Sequence, residues 1–257
     1  MTVRLELVTF TSGDGETRVP SYLASPDDDG PYPVVLILRG VAGPDDGYTE
    51  IARRLAEWGY VALVHGWKVR GDDPTDEPVH ADLQGAMSFL GSVGQADLAR
   101  LAVFGFCRGG VHALMAARAH AEIRVIVVFH GFAFRPAGAQ PGAEPYDLAG
   151  GVNVPMLVLH GTEDERAPMV DMRRMEARMR AFGKVCTFVL RRRPPRLCRA
   201  HPPRLCRGCG EAELRRGQTL PGKILARYSI GLTTVRADAR VRGDGHEWRP
   251  TDDSRSG

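Results

Sequence analysis

The sequence predicts an α/β fold with a doubly wound, mostly parallel sheet. Short apolar runs, such as VVLIL at 34–38, alternate with segments of helical periodicity over the first 190 residues. Apolar runs without polar alternation are typical of strands that are buried on both faces, as in a parallel sheet. A chain of 257 residues with 43% hydrophobic and 25% charged residues can also bury one core of this kind.

The first predicted elements follow one another in the order that this fold requires. The segment LELVTFTSGDGETRVPSYLASP predicts one or two edge strands around a Gly-Asp-Gly turn. A strand is predicted at 34–38 and a helix at 49–59, where apolar residues recur at every third or fourth position. The run YVALVHG at 60–66 predicts the next strand, and 82–90 predicts the second helix.

The same alternation continues to position 190. Strands are predicted at 101–106, 124–131, 154–161 and 184–190, and helices at 110–120 and 169–183. Parallel strands joined by helices form right-handed crossovers. Ligands of such sheets bind at the carboxyl ends of the strands, so motifs at those ends are the first candidates for a functional site.

The regular pattern stops after Leu190. Residues 1–190 carry 18 Lys and Arg against 24 Asp and Glu, whereas residues 191–257 carry 16 against 7. The segment 191–210 holds seven arginines and four prolines, and an eight-residue unit repeats as PPRLCRAH and PPRLCRGC. We therefore predict one domain at 1–190 and a basic, Arg/Pro/Cys-rich tail at 191–257 that is poorly ordered.

Composition and simple motifs exclude several classes of protein. No apolar run approaches the roughly 18 residues of a membrane span, and MTVRLELVTF lacks the apolar stretch of a signal peptide. Five cysteines, an odd number, predict free thiols in a reducing cytoplasm rather than a disulfide framework. The chain has no Walker A loop and no G-x-G-x-x-G after the strand at 34–38, so no nucleotide cofactor is expected.

The most specific motif is GFCRGG at Gly105–Gly110, which follows the strand 101–106 and opens the helix 110–120. It matches the nucleophile-elbow pattern, with Cys107 as the nucleophile. Glycines are expected here because a side chain would clash with the neighbouring strand or helix. The helix N-terminus is expected to lower the pKa of the Cys107 thiol, and the backbone N–H of Arg108 is the expected oxyanion donor. The alternative is a buried structural cysteine on a glycine-rich turn.

A second motif, HGTEDERAP at His160–Pro168, follows a late strand. An acid at this place, after the nucleophile in sequence, fits the nucleophile–acid–histidine order of α/β-hydrolases. Asp164 is chosen over Glu163 and Asp171 because it precedes a proline segment that redirects the chain into the next helix. The alternative is a solvated loop carboxylate or a helix N-cap.

Two further places are candidates for substrate contacts. The loop LRGVAG at 38–43 ends the strand at 34–38, where this fold supplies the other oxyanion N–H, and Val41 is the expected donor. A glycine-rich loop without function is the alternative there. In the segment 131–152, Phe132 and Phe134 are expected to wall an apolar substrate pocket.

GFCRGG and HGTEDERAP, with LRGVAGP and RLAEWGYVAL, resemble the dienelactone hydrolase family of α/β-hydrolases over about residues 3–190. The resemblance implies a Cys-His-Asp triad that hydrolyses an ester or lactone, with carboxymethylenebutenolide (dienelactone) as the name-giving substrate class. It places the nucleophile at Cys107 and the acid at Asp164. It implies a small-molecule substrate as the partner, with no cofactor, no metal, no specific nucleic acid and no membrane.

The chain departs from the family pattern at three places. Gly40 stands where the family often has a glutamate that contacts the resting thiol, and His65-Gly66 replaces a common Pro-Asp. The family histidine belongs near position 195, where this chain has Arg-Pro. The first two departures concern the dienelactone substrate, and the third concerns the base of the triad.

The sequence therefore leaves the base open among several histidines. His201 is nearest to the family position, about five residues late, and completes the expected triad. His246, in GDGHEW, lies much further along the chain, and the alternative for both is a solvated tail histidine. His65, His130 and His160 lie at predicted strand ends, where hydrogen-bonded structural groups or pocket walls are the expected roles.

The missing histidine suggests that the tail is a frameshift product. Runs of Arg, Pro, Cys and Gly are what a GC-rich gene yields out of frame, and PPRLCR can be encoded so that the +1 frame reads His-Ala-Phe-Ala. We therefore hypothesise a frameshift after about Leu190. Gene sequencing decides it, because the hypothesis requires His-Ala-Phe codons in another frame over 194–198.

Two other functional classes stay open. Cys198, His201, Cys206 and Cys209 have zinc-capable side chains at close spacing, and the arginines around them suit phosphates, so a zinc- or nucleic-acid-binding tail is one alternative. The absence of interleaved aromatic residues speaks against it, and metal analysis would decide it. The other alternative is a catalytically dead relative that keeps the pocket but has lost the triad.

Overall fold

The computed structural model describes residues 2–41 and 45–191. Its strands are β1 (Val3–Thr11), β2 (Arg18–Pro26), β3 (Tyr32–Leu38), β4 (Val61–Val64), β5 (Ala96–Phe106), β6 (Ile123–Phe129), β7 (Met156–Gly161) and β8 (Cys186–Arg191). Its helices are α1 (Asp45–Glu57), α2 (Asp76–Ser92), α3 (Arg108–Ala119), α4 (Pro145–Ala149) and α5 (Met169–Ala181), with a 3₁₀ turn at Trp67–Arg70. No helix within these ranges has the length and apolar character needed to cross a membrane.

The eight strands form one sheet in the order β1-β2-β4-β3-β5-β6-β7-β8. β2 pairs antiparallel with both β1 and β4. The six strands β4, β3, β5, β6, β7 and β8 pair parallel, in that order. The doubly wound, mostly parallel sheet predicted from the alternating pattern is therefore confirmed. Of the one or two edge strands predicted before Tyr32, one is present at the edge, since β1 lies there and β2 is enclosed between β1 and β4.

The central strands are buried on both faces, as their continuous apolar runs predict. Leu36 and Val103 belong to the cluster that also holds Leu114 of α3, whereas Ile37 and Phe104 belong to the cluster packed under α1. Burial of each such side chain contributes about 1.5–3 kcal/mol. The two clusters fix the helices on opposite faces and hold the ends of the strands in register.

The carboxyl ends of four neighbouring strands meet at one edge of the sheet. Leu38 of β3 pairs with Gly105 of β5, Phe106 pairs with Phe129 of β6, and Phe129 pairs with Leu159 of β7. The residues that follow these strands are therefore neighbours although they are far apart in sequence. This edge carries the GFCRGG and HGTEDERAP motifs.

Candidate active site

Cys107 occupies the turn between β5 and α3. Its backbone has φ 51° and ψ −114°, a conformation that residues with a side chain rarely adopt. The Cys107 N–H donates to the Phe129 carbonyl at 3.0 Å, and its own carbonyl accepts from the Gly110 N–H at 3.0 Å. Strained backbone that its surroundings hold in place is typical of functional sites. The elbow geometry predicted for this turn is present.

The glycines of the turn are there because neighbouring backbone approaches too closely for a side chain. A Cβ at Gly105 would lie 2.5 Å from the Gly109 carbonyl oxygen. A Cβ at Gly109 would lie 2.1 Å from the Leu38 carbonyl oxygen. Both distances are far inside van der Waals contact, so the expected clash with strand and helix is confirmed.

The Cys107 thiol is half-buried, and burial raises its pKa. The backbone N–H of Arg108 acts on the sulfur as a hydrogen-bond donor and lowers that pKa in part, as does the positive charge of Arg166. The expectation of a lowered pKa is therefore wrong, because loss of hydration outweighs the donors at the helix N-terminus. A thiol of this kind stays protonated at neutral pH and needs a base before it can attack.

The Arg108 side chain is buried and does not face the thiol. Its Nε lies 3.1 Å from Asp73 Oδ1, and its Nη2 lies 3.1 Å from both the Pro74 carbonyl oxygen and Asp76 Oδ1. Only 2% of the side chain is exposed. The Arg108 backbone N–H therefore donates to the Cys107 sulfur, whereas its guanidinium fixes the start of α2.

Asp76 connects this buried arginine to the segment 131–144. Its Oδ2 accepts from Arg135 Nη2 at 2.5 Å and from the Ala143 N–H at 3.2 Å. The Gln140 N–H donates to Asp73 Oδ2 at 3.2 Å. The Asp76 carboxylate is therefore shared by the elbow and by the wall of the neighbouring cavity.

Asp164 lies in the loop after β7, on the same edge of the sheet. Its Oδ1 accepts from the backbone N–H groups of Arg166 at 3.0 Å and Ala167 at 3.2 Å. Its negative charge raises the pKa of Cys107 and that of His130. The carboxylate thus acts electrostatically on both groups at once.

His130 follows β6, between the strand that carries Cys107 and the strand that leads to Asp164. Its backbone φ is 39°, and its N–H donates to the Leu159 carbonyl at 2.8 Å. The Nδ1 atom is buried and has no hydrogen-bond partner within the described residues. Burial lowers the pKa of His130 to about 4. Its imidazole is consequently neutral at physiological pH, and a pKa this far below neutrality makes it a weak proton acceptor.

His160 shares with His130 a buried Nδ1 that has no hydrogen-bond partner among the described residues, but its other ring nitrogen is bonded. Its Nε2 lies 2.8 Å from the Ala167 carbonyl oxygen. The structural role expected for His160 therefore agrees with the geometry. Sequence reasoning gave His130 the same role, and the signal that could have separated the two was its position directly after the strand beside the nucleophile strand.

The end of β3 also approaches the thiol. A Cβ at Gly40 would lie 3.1 Å from the Cys107 Cβ and 3.4 Å from the Tyr48 hydroxyl. The Gly40 N–H donates to that hydroxyl at 3.0 Å. Val41 follows as a half-buried bend, and the next three residues lie outside the described ranges. Sequence reasoning missed Tyr48, which is eight positions from Gly40 and carries no motif.

A cavity of about 320 Å³ opens beside the loop that holds Asp164. Phe132, Phe134, Arg166 and Pro168 are among the residues that line it. Phe132 is buried, whereas Phe134 is partly exposed and stacks on Tyr146 at 5.0 Å. Both phenylalanines predicted to wall a pocket therefore do line one.

The remaining candidates lie outside the described residues. These are His201 and His246, the two candidate bases of the tail, and the zinc-capable set Cys198, His201, Cys206 and Cys209. The frameshift hypothesis concerns the same part of the chain. Within residues 2–41 and 45–191, no group of three or more His, Cys, Asp or Glu side chains is placed to hold a metal ion.

The chain is similar to several known proteins. The profile described as the dienelactone hydrolase family matches residues 19–190. A provisionally named carboxymethylenebutenolidase of Methylorubrum extorquens is 32% identical over 189 residues, 67% of this chain and 65% of that protein. One from Escherichia coli, also provisionally named, is 29% identical over 182 residues, 64% of this chain and 67% of that protein.

A solved structure supports the fold independently. The crystal structure of a protein provisionally identified as a dienelactone hydrolase from Klebsiella pneumoniae superposes with a TM-score of 0.70 at 21% sequence identity. The match covers 89% of this chain and all of that one. The chain spans about two thirds of the length of the curated relatives it matches.

Proposed function

The chain belongs to the dienelactone hydrolase family, and we propose that it hydrolyses a small-molecule ester or lactone through a thioester on Cys107. The observation that carries the proposal is the elbow itself. A thiol stands on a strained turn at the carboxyl edge of the sheet, with the Arg108 N–H directed at its sulfur. A carboxylate, Asp164, acts on the thiol from the neighbouring loop.

In the first half of the reaction, a base takes the proton from the Cys107 thiol. The sulfur attacks the carbonyl carbon of the substrate, a C–S bond forms, and the carbonyl oxygen becomes an oxyanion. The backbone N–H groups of Arg108 and Val41 are the proposed donors to that oxyanion. Collapse of the tetrahedral species breaks the C–O bond, and the leaving alkoxide takes the proton back from the base.

In the second half, water attacks the thioester while the same base accepts a proton from it. The C–S bond then breaks and the Cys107 sulfur recovers a proton. The products are an acid and an alcohol, or one hydroxy acid when the substrate is a lactone. Phe132 is proposed to contact the apolar part of the substrate, because it lines the cavity beside Asp164.

Three imidazoles are candidates for the base. His201 is the one nearest to the family position, and both it and His246 lie outside the described residues. His130 is supported by its place between Cys107 and the Asp164 loop and by an Nδ1 atom without a hydrogen-bond partner among the described residues, whereas its lowered pKa counts against it. The H201Q, H246Q and H130Q variants separate them, because loss of the true base lowers kcat by about 10²-fold or more and loss of the others does not.

A pair of cysteine variants tests the proposed function. Hydrolysis of p-nitrophenyl acetate and of a butenolide lactone is measured for the full chain, for Cys107→Ala and for Cys186→Ala. Cys186 is the matched control, since it is also a free, half-buried thiol but lies on β8. We expect Cys107→Ala to abolish turnover and Cys186→Ala to retain it. Turnover that survives in Cys107→Ala would show that another group is the nucleophile.

The same assay separates the catalytically dead alternative, which predicts no turnover in any variant. A nucleophilic thiol must also stay reduced, so a reducing cytoplasm is the compartment we propose for the protein.

A further inference from the structure

The Tyr48 side chain is fixed beside the thiol by contacts on three sides. Its ring meets Phe106 edge to face, with centroids 5.4 Å apart and planes at 73°. The Arg39 guanidinium carbon lies 5.5 Å from the ring centroid. Its hydroxyl oxygen accepts the Gly40 N–H at 3.0 Å. A tyrosine held in this way has little freedom to move its hydroxyl away.

The Tyr48 hydroxyl oxygen and the Cys107 side chain both lie close to Gly40. The Cβ position of Gly40 is 3.1 Å from the Cys107 Cβ and 3.4 Å from the Tyr48 hydroxyl oxygen. Burial raises the pKa of Tyr48, the Gly40 N–H and the Arg39 charge lower it in part, and the negative form of Cys107 raises it further. The Tyr48 hydroxyl therefore keeps its proton throughout the neutral range, and its oxygen approaches the same Cβ position of Gly40 as the Cys107 side chain does.

The direction of the hydrogen bond between Gly40 and Tyr48 leaves the Tyr48 hydroxyl proton available for donation to another group. The Gly40 N–H donates to the hydroxyl oxygen, so the Tyr48 O–H bond is directed elsewhere. Hydrogen bonds in a chain polarise one another, so the Gly40 amide strengthens the donor it binds. The Gly40 N–H is occupied by this hydrogen bond, so the Tyr48 O–H is the group of the pair that can still donate to the reacting atoms.

We propose that the Tyr48 hydroxyl is a further catalytic donor to the oxyanion, alongside the backbone N–H groups of Arg108 and Val41. The inference rests on the proposed thioester mechanism. When the Cys107 sulfur bonds to the carbonyl carbon, the negative charge that develops on the carbonyl oxygen accepts the Tyr48 O–H hydrogen bond. The proton stays on Tyr48, and no covalent bond to the tyrosine forms or breaks. The Tyr48 side chain thus supplies a hydrogen-bond donor that Gly40 cannot supply, because the Gly40 N–H is already bonded.

Tyr48→Phe tests the proposal because it removes only the hydroxyl. Loss of one oxyanion donor should lower kcat/KM for ester hydrolysis by about a hundredfold, with most of the loss in kcat. Alkylation of Cys107 by iodoacetamide displaces iodide at a saturated carbon and develops no oxyanion. Its rate should therefore change by less than about twofold. Tyr60→Phe is the matched control. Tyr60 packs against the same apolar cluster as Tyr48, but it precedes β4 at the amino ends of the strands, away from Cys107.

A trifluoromethyl ketone keeps the test independent of turnover. The Cys107 sulfur adds to its carbonyl carbon, and the carbonyl oxygen becomes the oxyanion of a stable adduct. Tyr48→Phe should weaken this adduct by about a hundredfold, and Tyr60→Phe should not. Equal affinity for wild type and Tyr48→Phe would overturn the proposal, and so would equal loss of alkylation and hydrolysis, which indicates a structural role. Adduct formation without ester turnover would refute the proposed function but not the donor role.

Discussion

The elbow that carries Cys107 and the loop that carries Asp164 are held in place by different means. At the elbow, backbone from β3 and α3 closes on Gly105 and Gly109, and Arg108 is locked by two carboxylates and a carbonyl. The Asp164 carboxylate is bonded only to the N–H groups of its own loop in the described structure. Long-range packing fixes the elbow, whereas local turn geometry fixes the acid.

This difference separates stability from chemistry in the two regions. A change at the elbow should reduce both the free energy of unfolding and the activity, because the same contacts serve both. A change at Asp164 should reduce activity alone. The predictions below test this separation, in order of their expected effect on the free energy of unfolding.

Gly109→Ala should have the largest effect. Its Cβ would lie 2.1 Å from the Leu38 carbonyl oxygen and 2.8 Å from that of Arg39, so β3 and α3 must move apart. We expect a loss of about 3 kcal/mol or more in the free energy of unfolding, measured by urea denaturation. Gly94→Ala is the control, since a Cβ there meets no atom within 4 Å. Equal stability of the two variants would mean that the elbow is not closely packed.

Asp76→Asn should come next, because it removes the charge that Arg108 and Arg135 share. Hydrogen bonds to charged groups contribute about 1.5–3 kcal/mol each, so we expect a loss of about 2 kcal/mol. Hydrogen exchange should also increase at the Ala143 amide, which donates to Asp76. Asp147→Asn is the matched control, because its pair with Arg178 is exposed and should contribute less than about 1 kcal/mol. Similar losses in both variants would argue against a special role for the buried carboxylate.

Asp164→Asn should leave the free energy of unfolding within about 1 kcal/mol of wild type, since only local hydrogen bonds change. Its kcat should fall by about a thousandfold, because the acid of a triad orients and stabilises the charged base. Glu163→Gln is the control, a neighbouring exposed carboxylate in the same loop. Comparable activity of the two variants would remove Asp164 from the site.

The smallest effect at neutral pH comes from His130, whose contribution to the free energy of unfolding changes only as the pH falls below about 6.5. Burial lowers the pKa of His130 to about 4, whereas an unfolded histidine has a pKa near 6.5. Between these values the unfolded chain binds the proton and the folded chain does not. Stability from this group is therefore present above pH 6.5 or so and is lost as pH falls toward 4. In His130→Gln the fall in the free energy of unfolding over this window should be shallower, and parallel curves would contradict the assignment.

Most of the fold could be predicted because the apolar pattern is local. Six strands and the helix after Cys107 follow directly from runs such as VVLIL and from the GFCRGG turn. The helix predicted at 82–90 begins earlier, at Asp76. The prediction missed its first turn because that turn is polar and contains Pro78. Proline is tolerated in a first turn but hides the helical periodicity that sequence reasoning uses.

The site was predictable only where a motif lies at a strand end. Cys107 and Asp164 were predicted in this way, and their roles stay predictions. Tyr48 and Asp76 were not, because their roles depend on contacts between residues far apart in sequence or on separate elements. The Asp76–Arg135 pair spans 59 positions, and no spacing rule joins an acid at the start of one helix to an arginine in a loop. Of the candidate bases, His201 and His246 lie outside the described residues, and only His130 lies within them.

The most direct test of the central claim is mass spectrometry of the full chain quenched in acid during turnover of p-nitrophenyl acetate. A nucleophilic Cys107 predicts a mass increase of one acetyl group, located on the peptide that contains Cys107 and absent from Cys107→Ala. Hydrolysis without any acyl adduct on that peptide, or with an adduct on Cys186, would contradict the account.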